Sequence, residues 1–385
     1  MKVSDVLVRC LENEGVTHVF GVPGEENEDL LFSLAESKIR FVPTRHEQGA
    51  AFIADVWGRL TGRAGVCLST LGPGATNLVT GIADAKLDKS PVVALTAQGG
   101  TERLHHESHQ NLDVVRLLRT VTKWNAAVTS PDAVTEIVRK AFKTAEEEKP
   151  GPTHIELSED VAKRETSRTE PLSRVRVRRA APDYRAMAQT VRLLRRAERP
   201  LFLAGNGAIR KLASGHLRRL VERHGIPVVS TFMGKGAVSD RSEQSLWAIG
   251  LGFEDYVMEA VERADLIVAV GYDVAEYAPA KWNPGGDKRI VHIDFQSAEV
   301  YAQYRPDVEV VCDVSAALWE LAQHLAHEPP RFDREWYKPI RRRIVEDVAS
   351  YGPVEGKPFT IPGTLNVVRE VLDDDGLLLS DVGSH

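Results

Sequence analysis

The stretch FVPTRHEQGAAFIADVWGRLTGRAGVCLSTLGPG, residues 41–74, contains a strand end, a helix, a second strand and a glycine-marked turn. Phe41 and Val42 read as the end of the first strand. Ala50, Ala54, Trp57 and Leu60 then recur at three- or four-residue steps, an apolar helical stripe that closes at Gly62. AGVCLS reads as the second strand, and TLGPG as its turn. Strand, helix, strand is the repeating unit of a parallel α/β sheet. Glu47 stands at the first joint, among small and apolar residues. The simplest role for a carboxylate there is interaction with the free N–H groups of the first helical turn, worth about 0.3–1 kcal/mol.

The same alternation extends on both sides. HVFGVPG, IRFVPT, AGVCLSTLGPG, SPVVALTAQ and THIELSED are strand-like runs separated by helical patterns. Runs as continuously apolar as Val92–Thr96 suit strands covered on both faces. The pattern stops at TSRTEPLSRVRVRRAAPD, which has no periodicity. A second α/β series follows: RPLFLAGNG, GIPVVSTFMGKG, ADLIVAVGYD, KRIVHIDF and VEVVCDV. The expected organisation is a first domain over 1–165, a linker over 166–183 and a second domain over 184–328. A connector with one helix follows over 329–363, the helix near Trp336–Ser350, and from 364 to 385 a third block begins with a helix and the strand GLLLSDVG.

Composition narrows the function classes. A chain of 385 residues, 43% hydrophobic and 27% charged, can fill more than one core. Its formal charge of −6 gives no reason to expect nucleic acid as a partner. Arg174, Arg176, Arg178 and Arg179 form a basic cluster that reads as a solvated connector. Cys10, Cys67 and Cys312 are too scattered for a disulfide framework or a zinc site. No apolar run reaches the ~20 residues of a membrane span and no signal-peptide core is seen, so a cytoplasmic protein with no membrane partner is expected.

Four turns follow strands of the first series: GVPGEEN (21–27), TRHEQ (44–48), TLGPGATN (70–77) and AQGGTERLHHESHQ (97–110). In an open parallel sheet, ligands bind at the carboxyl ends of the strands. HHESH, 105–109, does not frame the His-Glu-x-x-His of a zinc helix, so zinc is rejected. AGNGAIR, 204–210, lacks the third glycine of a dinucleotide fingerprint, and a tight turn is the better reading.

Taken together, TRHEQGAAFIADVWGRLTGRAGVCLSTLGPGATNLVTGIADA, residues 44–85, resembles the pyrimidine-binding domain of thiamine-diphosphate-dependent enzymes, specifically the acetolactate synthase group. VGYDVAEYAPAKWN, 270–283, is similar to the catabolic, flavin-independent branch, and SDVGSH to the opening of the family's diphosphate-binding domain. The resemblance implies tandem doubly wound parallel-sheet α/β domains. A pyrimidine-binding domain precedes a Rossmann-like central one, and most of a third, diphosphate-binding domain is lacking. It implies thiamine diphosphate as cofactor, with Mg²⁺ held by a Gly-Asp-Gly motif that this sequence does not contain. No metal ligand is therefore assigned within the chain, and FAD is not expected.

The resemblance also gives Glu47 a chemical role. A glutamate at this place hydrogen-bonds the pyrimidine ring nitrogen and stabilises the imino tautomer, which removes the thiazolium C2 proton. It must be sheltered from water to couple strongly to the ring. Pro23 and Gly24 match a loop that backs the pyrimidine. Thr70, Pro73, Gly74 and Asn77 match the loop beside it. Gln110 matches a glutamine beside the reacting carbonyl, and Gly383, Ser384 and His385 match the start of the diphosphate contacts. His109 stands where many relatives have phenylalanine, and GEENED departs from relatives that carry a lysine.

The implied reaction decarboxylates pyruvate and condenses the hydroxyethyl carbanion with a second pyruvate, giving 2-acetolactate. Two alternatives are another 2-oxo-acid decarboxylase or ligase of the superfamily, and a non-catalytic scaffold homologue. A homodimer or dimer of dimers is implied, with Leu71, Leu78 and Leu87 expected at the interface. Because the Mg²⁺ motif is missing, these 385 residues alone are expected to bind the cofactor weakly or not at all and to be catalytically silent.

Overall fold

The computed structural model describes residues 1–175, 179–210, 212–250, 255–352, 358 and 360–379. The chain divides into two compact units, Met1–Arg178 and Arg179–His385.

The first unit is built on strands β1 (His18–Gly21), β2 (Arg40–Pro43), β3 (Gly65–Ser69), β4 (Val92–Gln98), β5 (Trp124–Ala127) and β6 (Pro152–Ser158). They lie in the order β2-β1-β3-β4-β6-β5, and every pair is parallel. The helices are α1 (Val3–Glu14), α2 (Glu28–Ala35), α3 (Glu47–Thr61), α4 (Gly72–Leu87), α5 (Val114–Leu118), α6 (Val134–Glu146) and α7 (Glu159–Lys163). Alternate residues of β3 serve opposite faces, as the pleat requires. Val66 and Leu68 join the core under α1, α2, α6 and α7 with Leu7, Leu30, Phe142 and Val161. Cys67 joins the core under α3 and α4 with Ala50, Ala51, Ala54, Leu78 and Ile82. A strand buried on both faces has no polar side, which is why Val66–Leu68 of β3 and Val92–Leu95 of β4 read as continuous apolar runs, while β6 is equally buried with His154 and Glu156 in it.

The second unit repeats the plan. Strands β7 (Pro200–Ala204), β8 (Val228–Ser230), β9 (Ser245–Ala248), β10 (Leu266–Val270), β11 (Arg289–Asp294) and β12 (Val308–Val311) lie in the order β12-β11-β10-β7-β8-β9, all parallel. The helices are α8 (Tyr184–Arg196), α9 (Ala213–His224), α10 (Tyr256–Arg263), α11 (Pro279–Trp282), α12 (Val314–His327), α13 (Lys338–Ser350) and α14 (Ile361–Val371). Helices α8, α9 and α12 cover one face with Met187, Leu217 and Leu318, while α10 and α13 cover the other with Val261 and Ile340. Among the described residues, no helix is long and apolar enough to cross a membrane.

Four readings need correction. Strands β5 and β9 were not anticipated. Both are sheet edges, paired on one side and partly exposed, so neither is a continuous apolar run. The helix expected within a connector is part of the second unit's core, because Trp336, Tyr337, Ile340 and Ile344 are buried in it. Leu60 does not complete the buried stripe of α3. It is 83% exposed, and the buried face runs instead through Glu47, Ala50, Ala51, Ala54, Asp55 and Gly58. Residues 376–379, expected to begin a strand, are irregular, and Leu377 and Leu379 are exposed; a strand needs a neighbour to complete its ladder, and none pairs with them among the described residues.

Candidate active site

Parallel pairing points the carboxyl ends of the adjacent strands β2, β1, β3 and β4 the same way. The turns after these strands, with the opening turns of α3 and α4 that two of them enter, carry the candidate residues of the first unit.

Glu47 is the first residue of α3. His46 caps the helix with its Nδ1, which accepts from the Gln48 N–H at 3.1 Å, and Gly62 ends it in the left-handed conformation. A carboxylate serving only the helix terminus would face water. Glu47 is buried instead, and its Oε2 accepts a hydrogen bond of 3.0 Å from Nδ2 of Asn77 on α4. Its Oε1 faces Gly74, where an added Cβ would lie 3.4 Å from that oxygen and 2.6 Å from Thr70 Oγ1. A Cβ at Gly24 would meet Thr70 Cγ2 at 2.1 Å. Thr70, Gly74 and Asn77 thus converge around one sheltered carboxylate, Gly74 leaves bare backbone beside it, and Gly24 packs on Thr70.

Helices α3 and α4 approach closely through small residues such as Ala51 and Gly81, where a Cβ on the glycine would lie 2.6 Å from that of Ala51. This contact places Asn77 over Glu47. Pro73, in the first turn of α4, is exposed and needs no N–H partner there. Pro23 is also exposed, on a loop that Asn27 braces: its Oδ1 accepts from the Gly24 N–H at 3.0 Å, and its Nδ2 donates to the Val22 carbonyl at 3.2 Å.

Gln110 reaches this region through its main chain. Its side chain is exposed, its φ is +53°, and a Cβ on Gly72 would lie 2.4 Å from its carbonyl oxygen. Gly383, Ser384 and His385 lie outside the described residues. Leu71 and Leu78 are fully buried in their own unit, so they offer nothing to an interface; Leu87 is 68% exposed.

Two buried carboxylates were missed: Glu156 sits in the strand run THIELSED and Glu276 in VGYDVAEYAPAKWN, and neither pattern marks its carboxylate for burial. Glu156 on β6 is pushed up to about 7, chiefly by burial, with the Gln98 hydrogen bond opposing. Glu276, in the turn after β10, accepts from the Asn206 N–H at 3.0 and 3.2 Å and from the Thr231 hydroxyl. Burial raises it from 4.5 to about 7, and those hydrogen bonds oppose the shift. A raised carboxylate keeps its proton in the folded state after the unfolded chain has lost it. Its contribution to stability therefore falls as pH rises from about 4.5 to about 7. Glu276→Gln should flatten that fall. Denaturation midpoints of the second unit at pH 5 and pH 7 should differ less than in the parent by the equivalent of about 1–3 kcal/mol. Equal pH dependence in both proteins would contradict the assignment.

Residues 1–117 match the thiamine pyrophosphate enzyme N-terminal TPP binding domain, and residues 187–321 match the central domain of thiamine pyrophosphate enzymes. The chain is 38% identical over 329 residues to the catabolic acetolactate synthase of Raoultella terrigena, covering 84% of this chain and 58% of the relative. It is 34% identical over 396 residues to acetolactate synthase 1, chloroplastic, of Nicotiana tabacum, covering 100% and 59%. It is 31% identical over 396 residues to the acetolactate synthase of Bacillus subtilis, covering 99% and 67%. The chain spans about three-fifths of the length of the first two relatives.

Proposed function

The chain belongs to the thiamine pyrophosphate enzymes, among the acetolactate synthases, and from that premise we propose that it serves a carboligase that decarboxylates pyruvate and condenses the two-carbon unit with a second pyruvate to give 2-acetolactate. The observation that carries this reading is the buried carboxylate of Glu47, oriented by Asn77 and faced by the bare backbone of Gly74. The residues suit a flat heteroaromatic ring, since any side chain at Gly24 or Gly74 would fill the space beside Thr70.

When bound, thiamine diphosphate supplies an acidic thiazolium carbon and an electron sink for decarboxylation. Glu47 is assigned to hold a proton at the cofactor's pyrimidine nitrogen, and Asn77 to fix the carboxylate's plane. Pro23, Gly24, Thr70, Pro73 and Gly74 are assigned to the walls, and Gln110 to the reacting carbonyl. Gly383, Ser384 and His385 are assigned to the diphosphate by resemblance. Mg²⁺, which favours oxygen ligands, is proposed to accompany the diphosphate, with no residue of this chain assigned to it.

The second unit is proposed to take no flavin. Glu276 supports this: its carboxylate occupies the Asn206 N–H after β7, where a dinucleotide's phosphate would be received. Cytoplasmic residence is proposed from the three cysteines, all buried as free thiols. We also propose a homo-oligomer, with contact on the outer face of α3. Ile53, Val56 and Leu60 line that face at three- and four-residue steps and are 41%, 48% and 83% exposed. Leu60→Asp should shift the sedimentation behaviour towards monomer; an unchanged oligomer would remove this face from consideration.

The deciding experiment supplies a full-length form that carries the diphosphate-binding domain with thiamine diphosphate, Mg²⁺ and pyruvate. Release of carbon dioxide with formation of 2-acetolactate is expected. Cofactor binding without turnover of any 2-oxo acid would favour a non-catalytic scaffold, and turnover of a different 2-oxo acid would replace the substrate.

A further inference from the structure

The loop that carries Gln110 is tied down at both stems. At its start, Glu159 Oε1 accepts from the Gly100 N–H at 3.0 Å and from Nη2 of Arg103 at 2.8 Å. Asp160 uses both oxygens on Thr101: Oδ1 accepts the N–H at 3.0 Å and Oδ2 the hydroxyl at 2.7 Å. At its end, Nε2 of Gln98 is shared between the Leu112 carbonyl at 2.8 Å and Glu156 Oε2 at 3.2 Å. Between the stems, Nδ2 of Asn111 donates to the carbonyls of Leu104 and His106 at 3.2 and 3.3 Å. The acceptors Glu156, Glu159 and Asp160 come from one short stretch, the end of β6 and the first turn of α7.

Such anchoring has a physical purpose. Gln110 has a φ of +53°, unusual for a residue with a side chain, and its carbonyl is set against Gly72 at the start of α4. A conformation of this kind persists only where the surroundings over-determine it. Asp160 titrates below the usual carboxylate range: burial pushes it up, but the hydrogen bonds from Thr101, together with the Arg164 guanidinium and the Val161 N–H, outweigh that.

We propose that Asp160 and Glu159 are positioning residues for Gln110, clamping the 99–112 loop so that the glutamine is presented at the edge of the Glu47 site. The inference rests on the assignment of Gln110 to the reacting carbonyl.

The test uses Asp160→Ala, the milder Thr101→Val, its conservative counterpart Thr101→Ser, and Gln110→Ala as reference. In the cofactor-free chain, hydrogen exchange in peptides spanning 99–112 should quicken about tenfold in Asp160→Ala and Thr101→Val, the scale of losing one hydrogen bond to a charged acceptor. Exchange in β1 and α1 should not change, and Thr101→Ser should match the parent. In the full-length form with thiamine diphosphate, Mg²⁺ and pyruvate, kcat should fall severalfold in the first two variants while cofactor affinity holds. In the Gln110→Ala background, Asp160→Ala should cost nothing further. Unchanged exchange in both loop variants overturns the clamp. Faster exchange with unchanged turnover, where Gln110→Ala alone slows the reaction, overturns the positioning role. If Gln110→Ala itself leaves turnover unchanged, the assignment of Gln110 falls, and the positioning role falls with it.

Discussion

In the complete enzyme, Glu47→Gln will lower pyruvate turnover by about 10²- to 10⁴-fold, the range that positioned proton-transfer groups contribute. The fold should survive, because the amide fits the same space and its oxygen can still accept from Nδ2 of Asn77. Cofactor affinity should stay within a few-fold. The loss should appear directly in exchange of the cofactor's C2 proton, measured apart from turnover. A neutral amide cannot hold a proton at the pyrimidine nitrogen as a carboxylate does. The competing role, a charge at the terminus of α3, is worth only about 0.3–1 kcal/mol and would change stability without touching exchange. An unchanged exchange rate returns Glu47 to that role.

The second large effect is expected at Arg59, on the same helix. Its guanidinium meets Asp55 Oδ2 at 2.6 and 2.9 Å, Asp84 at 2.8 Å and Asp88 at 2.7 Å, linking α3 to the end of α4. Asp55 is 1% exposed, and its Oδ1 has no hydrogen-bond partner among the described residues. Arg59→Met therefore leaves a buried carboxylate without its counter-ion, beside two others. Losing one member of a buried pair costs roughly 3–5 kcal/mol. Arg59 is itself partly exposed, so the lower end, about 3 kcal/mol, is expected. The denaturation midpoint of the first unit should fall accordingly. Adding Asp55→Asn should restore most of the loss, since it removes the stranded charge. A cost below about 1 kcal/mol, typical of a surface pair, would refute the argument.

Both effects converge on α3 and α4, the helices that bring Asn77 to Glu47. The likeness of 44–85 to a known pyrimidine-binding domain led to Glu47, Thr70, Gly74 and Asn77, and the structure brings those four together. The chemistry assigned to them remains for the Glu47 experiment. Gln110 was found by the same route, but the conformation that presents it was not, because a left-handed glutamine leaves no mark in the sequence.

By itself, the sequence determined the elements whose pattern comes from local and two-faced burial. The central strands β3, β4, β6, β7 and β10 are buried along their whole length, and largely apolar in β7 and β10, because both faces are covered, and the C-terminus of α3 is set by a glycine that can turn left-handed. Tertiary structure alone decided whatever depends on a neighbour distant in the chain. The edge strands β5 and β9 exist because an adjacent strand offers them a ladder. Leu60 points outward while Leu71 and Leu78 point inward, although leucine's hydrophobicity is the same at all three. Glu276 is buried against Asn206 and Thr231, residues 70 and 45 positions away. The partners of Glu159 and Asp160 lie 56 to 59 positions away on the 99–103 stem. A side chain's type and its periodicity are local properties, whereas burial and hydrogen-bond partners belong to the surface folded against it.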